Sequence, residues 1–438
     1  MRKLRLKVCI ALWLSLVGLS AWALPAFPGA EGFGAQTPGG RGGKVIAVVN
    51  LNDSGPGSLR AACAAAGPRI VIFQVAGIID LKSSIKVTQP SLTLAGQSAP
   101  GDGVCLRGFD LDIRTHDVVV RYLRSRPGAG AGKEVDAIDV GSGAHDVILD
   151  HCSATWAVDE NLSPSGSISN VTVQWCIIAE GLNHSVHKKG AHGYGSLVRA
   201  VGGVSLHHNL WAHNNARNPR LGDNYRVAPF PTFDVRNNVI YNFGDMASGM
   251  TGDILSVNYM ANYIRPGPSS NRKRGVIVFT DTAEANYFLA DNVVEGNEAV
   301  TADNARLFDR TEFKGKKLVT REAKPFATPE VKTTSAVTAL EDVLRGVGAN
   351  RPMRDAVDER IVRSVRQQTG ALVDSPQQVG GWPEYRSGTP PKDSDGDGLP
   401  DEWETKHHLN PNDPADGKQD RDGDGYTNIE EFLNDPKL

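Results

Sequence analysis

The chain has 438 residues, of which 40% are hydrophobic and 22% charged, enough for one large folded domain with additions. It carries 47 Lys and Arg against 50 Asp and Glu, a formal charge of −3. A nucleic-acid-binding protein would show a basic surplus, so we expect no nucleic-acid partner.

The first 23 residues have the parts of a secretory signal peptide. Basic residues between Arg2 and Lys7 precede an apolar run from Val8 to Leu19, and Ala21-Trp22-Ala23 resembles a cleavage site. The apolar run is too short to span a bilayer comfortably, so we predict removal of residues 1–23, secretion (extracellular, periplasmic or at the cell surface) and no membrane partner. Removal leaves a formal charge of −7 and four cysteines.

Short β-rich segments recur along the middle of the chain, 22 to 33 residues apart. They start at Leu92, Val118, Val147, Val171, Val204, Phe233, Leu255 and Tyr287. Turns rich in Gly, Asn and Ser separate them, without a helical period or the two-residue connectors of hairpins. Recurrent strands with irregular insertions predict an all-β fold, a right-handed parallel β-helix over residues 24–330.

Side chains at equivalent positions of stacked turns should form ladders, because neighbouring strands lie about 4.8 Å apart. The residues five positions after five of these starts are Cys152, Cys176, Asn209, Asn238 and Asn292. Adjacent parallel strands aim their Cβ atoms alongside one another, which favours two stacked thiols over a disulfide. The disulfide state of Cys63, Cys105, Cys152 and Cys176 stays open at this point.

The same offsets place acidic and basic side chains on one wall of the helix. Glu160, His184 and Arg217 each stand thirteen residues after a strand start, and Asp136 and Glu160 each stand eleven before one. Stacked carboxylates repel unless they are protonated, paired or bridged by a cation, and Ca²⁺ suits such a site outside the cell. We therefore predict Asp136, Asp159 and Glu160 as calcium ligands, the alternative being a solvated acidic loop.

Five segments stand out in order along the chain: "GAEGFGAQTPGGRGG", "NLNDSGPGSLRAA", "VDAIDVG", "LDHCSATWAVDE" and "ARNPRLG". Together they resemble the secreted pectate lyases of polysaccharide lyase family one. The likeness extends from about Phe27 to Asn297 and implies a β-helix that cleaves pectate, the α-1,4-linked galacturonate polymer, by Ca²⁺-assisted β-elimination. A bound cation and a cationic pair would attract this anionic chain despite the negative net charge.

The resemblance implies roles for individual residues. Asp136, Asp159 and Glu160 match calcium-binding positions, Arg217 matches the arginine taken as the base, and Arg220 matches its companion. The family's further arginine is here Gly222, and its usual lysine is displaced. The binding of the substrate carboxylate is therefore left among Lys188, Lys189, His184, His187 and His192. Free arginine keeps its proton, so a base role needs help from Ca²⁺ and Arg220; otherwise Arg217 stabilises charge.

Two alternatives to a lyase remain. A polygalacturonase-like hydrolase on the same fold would need a set of catalytic aspartates, for which we find no convincing pattern. A non-catalytic polysaccharide-binding or adhesive protein is the other, because the fold alone proves no activity.

The chain after the β-helix changes in character. Apolar residues at helical spacing predict helices over Val337–Val347 and Arg354–Gln367, within an extension and linker spanning residues 331–390. Residues 391–438 contain two acidic loops with the spacing of EF-hand calcium loops. Their predicted ligands are Asp393, Asp395, Asp397, Asp401 and Glu404, then Asp420, Asp422, Asp424, Asn428 and Glu431. We expect a monomer whose dockerin-like tail either docks a protein partner or surface, or stabilises the C-terminus.

Overall fold

The computed structural model describes residues 24–250, 254–279, 284–309 and 320–436. The predicted signal peptide, residues 1–23, lies outside the described residues. Within these ranges the chain winds into a parallel β-solenoid, which confirms the predicted architecture. No helix in the same ranges is both long enough and apolar enough to cross a bilayer.

The turns of the solenoid stack into three parallel sheets. Described strands of sheet 1 are Lys44–Val48, Arg69–Phe73, Leu92–Ala95, His116–Arg121, His145–Asp150, Ser169–Gln174, Val204–His207, Thr232–Arg236, Ile254–Met260, Glu284–Ala290 and Thr320–Arg321. Those of sheet 2 are Gly77–Asp80, Val104–Arg107, Arg124–Ser125, Ser153–Thr155, Ile177–Ala179, Leu210–Ala212, Val239–Tyr241, Tyr263–Arg265 and Val293–Val294.

Sheet 3 carries the predicted site residues at its edge and has two sections. The first contains Ile85–Val87, Leu111–Ile113, Ile138–Val140 and Leu162–Pro164; the second contains Leu197–Ala200, Arg220–Asp223, Ser248–Met250, Ile277–Phe279 and Phe308–Asp309. A bridge between Ser165 and Arg199 joins the two sections.

Aliphatic side chains fill the interior of the solenoid. In sheet 1, Val120, Leu149, Val173, Leu206 and Val235 stand one above another through successive strand pairs, and each is at most 1% exposed. Branched side chains suit such strands, and each one buried contributes roughly 1.5–3 kcal/mol to folding.

The pairing register agrees with seven of the eight strand starts taken from the sequence. For example, Val147 pairs with Val118 and Val171, and Val204 pairs with Phe233. The exception is Leu255, because Val257 occupies that position between Phe233 and Tyr287. Side chains alternate along a strand with a period of two, so a shift of two residues keeps the same face inward and the hydrophobic pattern cannot detect it.

The corrected register completes the predicted ladder. Backbone N–H groups of Asn209, Asn238, Asn262 and Asn292 each donate to the amide oxygen of the next asparagine, at 2.9–3.1 Å, and Asn304 accepts the last bond. Asn262 was missed because it follows the misplaced start at Leu255. Cys176 donates its N–H to Asn209, so the two thiols continue the same ladder.

All four cysteines of the described chain are free thiols and buried, as favoured for the stacked pair of Cys152 and Cys176. The Cys152 N–H lies 3.4 Å from the Cys176 sulfur. Burial raises the pKa of the Cys63 thiol to about 12, consistent with a structural role.

The extension covers the outer face of sheet 2. Its helices run Ala336–Gly346 and Ala356–Gln367 and bury Leu340, Val343 and Ile361 against solenoid residues such as Leu210. The segment expected to be a linker also packs on the solenoid, where the Trp382 indole donates to the Arg126 carbonyl at 3.1 Å. Other α-helices are Leu59–Ala64, Glu298–Ala302, Asp401–Lys406 and Asn428–Asn434, and 3₁₀ turns are Gly96–Ser98, Asn304–Leu307, Pro376–Val379 and Asp416–Lys418.

Replacing a ladder asparagine should destabilise the fold. Asn238→Leu removes the side-chain partners of the Asn209 N–H and the Leu206 carbonyl, and one of the two bonds that the Asn262 amide oxygen accepts from Asn238. We expect a loss of at least about 2 kcal/mol and a lower melting temperature by calorimetry. Asn286→Leu, at an exposed strand position, is the control. Equal melting temperatures for the two variants would contradict a stabilising ladder.

Candidate active site

The predicted functional residues lie in the turns that lead into four neighbouring strands of sheet 3. Asp136 precedes Ile138–Val140, Glu160 precedes Leu162–Pro164, and Arg217 precedes Arg220–Asp223. Between the last two, Tyr194 forms parallel bridges with Glu160 on one side and Ala216 on the other. The turns are therefore stacked, and their side chains share one edge of the solenoid.

Three carboxylates meet at this edge, as the sequence predicted. One oxygen each of Asp136, Asp159 and Glu160 lies within 4.8 Å of the others. The Glu160 N–H donates to Asp136 at 3.1 Å and holds the two turns together. Ca²⁺ binds oxygens at 2.3–2.6 Å, so oxygens at this separation can share one ion.

The cluster is electrostatically costly without a cation. Burial and the carboxylates of Glu160 and Asp139 raise the pKa of Asp136 well above its usual range. Burial raises the pKa of Glu160 to about 8, with Arg217 opposing the shift and Asp159 adding to it. Carboxylates that resist ionisation together are the ones that a divalent cation would relieve.

Arg217 lies over the same cluster. Its guanidinium donates to the Glu160 carboxylate and sits 4.3 Å from the centre of the Tyr194 ring. A guanidinium over an aromatic face makes a cation–π contact, so the Tyr194 ring helps to hold the Arg217 side chain in place. Arg220 begins its strand three residues later, at a half-buried position opposite Leu197.

The structure corrects the prediction for His184. The turn between Val171 and Val204 contains an extruded loop, residues 183–193, so Tyr194 occupies the stacked position that simple counting gave to His184. The His184 side chain is 68% exposed and lies 3.2 Å from Asp374 of the extension. It does not reach the carboxylates.

Two other histidines of this loop do reach the cluster. The rings of His187 and His192 are buried and stack with centroids 3.8 Å apart. Nε2 of His192 lies 2.7 Å from Asp159 Oδ1. Burial opposes ionisation of Asp159, but the contributions of His192, Glu160 and His187 together outweigh it and hold the pKa of Asp159 at about 2. Burial also lowers the pKa of His192, so we assign a neutral imidazole in contact with an ionised carboxylate.

Asp159, His187 and His192 each place one ligand atom within 4.8 Å of the others, so the tautomer of His187 decides whether this group suits a transition metal. Its Nδ1 accepts the Lys189 N–H at 3.1 Å, so in the neutral ring Nε2 carries the proton. That Nε2 faces Asp159 Oδ1 at 3.7 Å and presents a proton rather than a lone pair. The histidines therefore fit a role in orienting Asp159 better than one as zinc ligands.

The two lysines of this loop lie outside the carboxylate cluster. The Lys188 ammonium pairs with Glu134 at 2.8 Å, and its backbone N–H donates to the same carboxylate. Lys189 is exposed at the tip of the loop. Neither ammonium is part of the carboxylate cluster.

A buried amide network beneath the site was not predicted. Asn161 donates to Asn214, and Asn214 donates to Asn218, both at 2.9 Å. Asn161 adjoins Glu160 and Asn218 adjoins Arg217, so the network fixes the turns that carry this ion pair. The asparagines are visible in the sequence, but the bonded pairs are 53 residues apart (Asn161 and Asn214) and 4 residues apart (Asn214 and Asn218). These unequal separations form no pattern from which the network could be predicted.

Sequence reasoning also missed Asp139, three residues after Asp136. Burial raises the pKa of Asp139 to about 7, although the nearby Arg114 opposes the shift. Asp139 extends the acidic surface along sheet 3, in register with Asp112 and Ser163.

Both C-terminal loops adopt the same geometry. In the first, Asp393 accepts N–H bonds from Gly396 and Gly398, and in the second, Asp420 accepts those from Gly423 and Gly425, all at 2.7–3.1 Å. Carboxylate oxygens converge within 4.8 Å in each loop, from Asp393, Asp395 and Asp397 and from Asp420, Asp422 and Asp424.

The remaining predicted tail ligands divide into two groups. Glu404 is fully buried with neither carboxylate oxygen hydrogen-bonded, and one oxygen each of Asn428 and Glu431 is likewise buried without a partner. Such oxygens fit a bound cation. Asp401 departs from the prediction, because Lys392 and Ser394 bond to both of its oxygens at 2.6–2.8 Å and it braces the loop instead.

Comparisons with known proteins give a consistent result. No protein-family model matches the chain. It is 38% identical over 445 residues to a probable pectate lyase C of Aspergillus flavus, covering 98% of each chain, and 38% identical over 444 residues to that of Aspergillus terreus, again covering 98% of each. The chain belongs to the pectate lyase family. Because the match takes in 98% of this pectate lyase, the C-terminal tail lies within it.

Solved structures support the fold. A pectate lyase from Bacillus sp. N165 in complex with trigalacturonate superposes with a TM-score of 0.53 at 15% identity, covering 73% of this chain and 98% of that one. A second pectate lyase, described for its anti β-elimination mechanism, gives a TM-score of 0.52 at 14% identity over 75% and 98% of the two chains.

Substitution of His192 should weaken calcium binding at the carboxylate cluster. His192→Ala removes the imidazole that contacts Asp159 at 2.7 Å and restricts its position, and we expect about a tenfold loss of Ca²⁺ affinity by calorimetry. His184→Ala, in the same loop but facing Asp374, is the matched control and should bind as the unmodified protein does. Equal affinities for both variants would contradict the orienting role.

Calcium binding at this cluster should strengthen as pH rises. A ligating carboxylate must be ionised, and Glu160, with a pKa of about 8, holds its proton at pH 6 and loses it above pH 8. Affinity should therefore increase by up to about tenfold per pH unit and level off above pH 8. The titration is done with Glu404→Gln and Glu431→Gln in the tail, and adding Glu160→Gln should flatten the profile. An affinity constant from pH 6 to 9 would exclude this assignment.

Proposed function

We propose that this protein is a secreted member of polysaccharide lyase family one that cleaves polygalacturonate by calcium-assisted β-elimination. The observation that carries the proposal is the meeting of Asp136, Asp159 and Glu160 with Arg217 at one edge of sheet 3. Membership of the pectate lyase family gives the substrate class, and the products would be 4,5-unsaturated oligogalacturonides.

The chemistry requires a proton to leave C5 of a uronate, next to the C6 carboxylate. A Ca²⁺ ion held by Asp136, Asp159 and Glu160 would neutralise that carboxylate and stabilise the negative charge that develops as the proton leaves. His192 keeps Asp159 ionised and oriented for this task.

Arg217 is the proposed base. Its guanidinium now pairs with Glu160, and the Tyr194 ring beneath it restricts its position. Arg220, three residues further along the chain at the start of its strand, is the second cation of the pair. The pair also provides positive charge for the anionic chain.

We assign binding of the substrate carboxylate to the loop of residues 183–193, because the family's usual lysine is displaced in this chain. Lys188 and Lys189 are exposed at its tip, where an ammonium can meet a second uronate carboxylate. His187 and His192 are occupied in holding Asp159, and His184 faces the extension, so the two lysines are the stronger candidates.

The C-terminal loops are proposed to bind two further calcium ions. Asp393, Asp395, Asp397 and Glu404 would hold one, and Asp420, Asp422, Asp424 and Glu431 the other. The buried, unpaired oxygens of Glu404 and Glu431 support this assignment.

The lyase activity is tested with polygalacturonate and Arg217→Lys. We expect ultraviolet absorbance of the unsaturated product with Ca²⁺, its loss with a chelator, and at least a roughly 100-fold lower rate for Arg217→Lys with unchanged melting temperature. Arg272→Lys, at an exposed position, is the control.

Each other outcome has a clear meaning. Full activity of Arg217→Lys would refute its role. New reducing ends without absorbance would indicate hydrolysis, and neither signal would indicate a binding protein.

A further inference from the structure

The described part of the tail, residues 391–436, lies against the outer face of sheet 1 at its N-terminal end. Buried apolar side chains from both tail helices and the first loop meet the solenoid there. They are Leu399, Trp403, Ile429, Phe432 and Leu433, packed with Ile70, Ile72 and Ala95. The strand Arg69–Phe73 is consequently buried at all five positions, whereas a strand with one solvent face would alternate.

This packing uses the apolar surface of the tail. Among the described tail residues, none of the large hydrophobic side chains is exposed. A docking module that waited for another protein would present such a surface. The large apolar side chains of the tail are therefore used in packing against the solenoid of its own chain.

Polar contacts fasten the same interface. Arg41 donates to Glu430 and to the Pro25 carbonyl, both at 2.8 Å, and joins the tail to the start of the described chain. Arg121 of sheet 1 donates to Asn434 at 2.6 Å, and Gln97 donates to the Leu433 carbonyl at 3.2 Å.

The first acidic loop touches the solenoid directly. Gly398 has a φ of +98°, and a Cβ there would come within 2.8 Å of Val45 and 3.3 Å of Ile72. The next residue, Leu399, is fully buried in the interface, and its N–H donates to Asp397 at 2.9 Å. The same short backbone segment, residues 397–399, therefore positions both the Asp397 carboxylate and the Leu399 side chain that packs on sheet 1.

We propose that the tail is a calcium-dependent clamp on the first turns of the solenoid. A cation held by Asp393, Asp395, Asp397 and the buried, unpaired carboxylate of Glu404 orders the loop. The ordered loop and the two helices then stabilise the strands Lys44–Val48, Arg69–Phe73 and Leu92–Ala95. The clamp rests on the calcium-binding part of the proposed function and is independent of the lyase chemistry.

Hydrogen exchange on the full-length protein tests the clamp. Removal of Ca²⁺ should speed amide exchange in Arg69–Phe73 at least tenfold, while Ser169–Gln174 in the middle of the solenoid changes little. Glu404→Gln should show the fast exchange even with Ca²⁺, whereas Glu402→Gln, at an exposed position of the same helix, should not. Glu160→Gln removes a ligand of the other calcium cluster and should leave Arg69–Phe73 protected by Ca²⁺.

A second variant separates calcium binding from clamping. Arg41→Gln leaves both acidic loops intact, so calorimetry should still show calcium bound to the tail, with a several-fold loss of protection in Arg69–Phe73. The proposal is overturned if calcium alters exchange only within residues 393–436, or if the tail binds no calcium. Formation of unsaturated product, measured on the same samples, reports separately on the lyase proposal.

Discussion

The register between successive turns is the constraint on which the rest of this structure depends. Parallel strands pair residue for residue, and the asparagine ladder adds a side-chain bond between backbones at every turn from Asn209 to Asn304. A shift of one residue would turn every inward side chain outward and leave those buried amides unpaired. The positions of Glu160 above Asp136 and of Tyr194 between Glu160 and Ala216 follow from that register.

The register places carboxylates that repel one another at adjacent positions of the stack. Asp136 and Glu160 have raised pKa values because they are buried beside other carboxylates, and folding bears this cost. Arg217 compensates part of it by pairing with Glu160, and a cation would compensate the remainder.

Insertions between strands adapt this common scaffold. The loop of residues 183–193 turns His187 and His192 back onto Asp159, while the extension supports its outer side through Asp374. The tail covers sheet 1 in the same way that the extension covers sheet 2. Both additions bury apolar faces of the solenoid, so the edge that carries the carboxylate cluster belongs to a body packed on two sides.

Features that depend on local pattern could be predicted from the amino-acid sequence. Alternating apolar residues predicted the strands, equal offsets predicted the ladder and the meeting of Asp136, Asp159, Glu160 and Arg217, and the spacing of aspartates predicted the two acidic loops. These succeed because strand period and loop geometry are properties of short segments. The family resemblance led to the substrate class.

Other features depend on contacts between segments that are distant along the chain. Counting along the chain placed His184 where Tyr194 stands, because an extruded loop adds residues without adding height to the stack. The strand start at Leu255 was wrong because a shift of two residues leaves the hydrophobic pattern unchanged. Asp401 bonds to Lys392 and Ser394, and the tail packs on Ile70 and Ile72. These contacts depend on which surfaces meet in the folded chain, and residue spacing does not encode them.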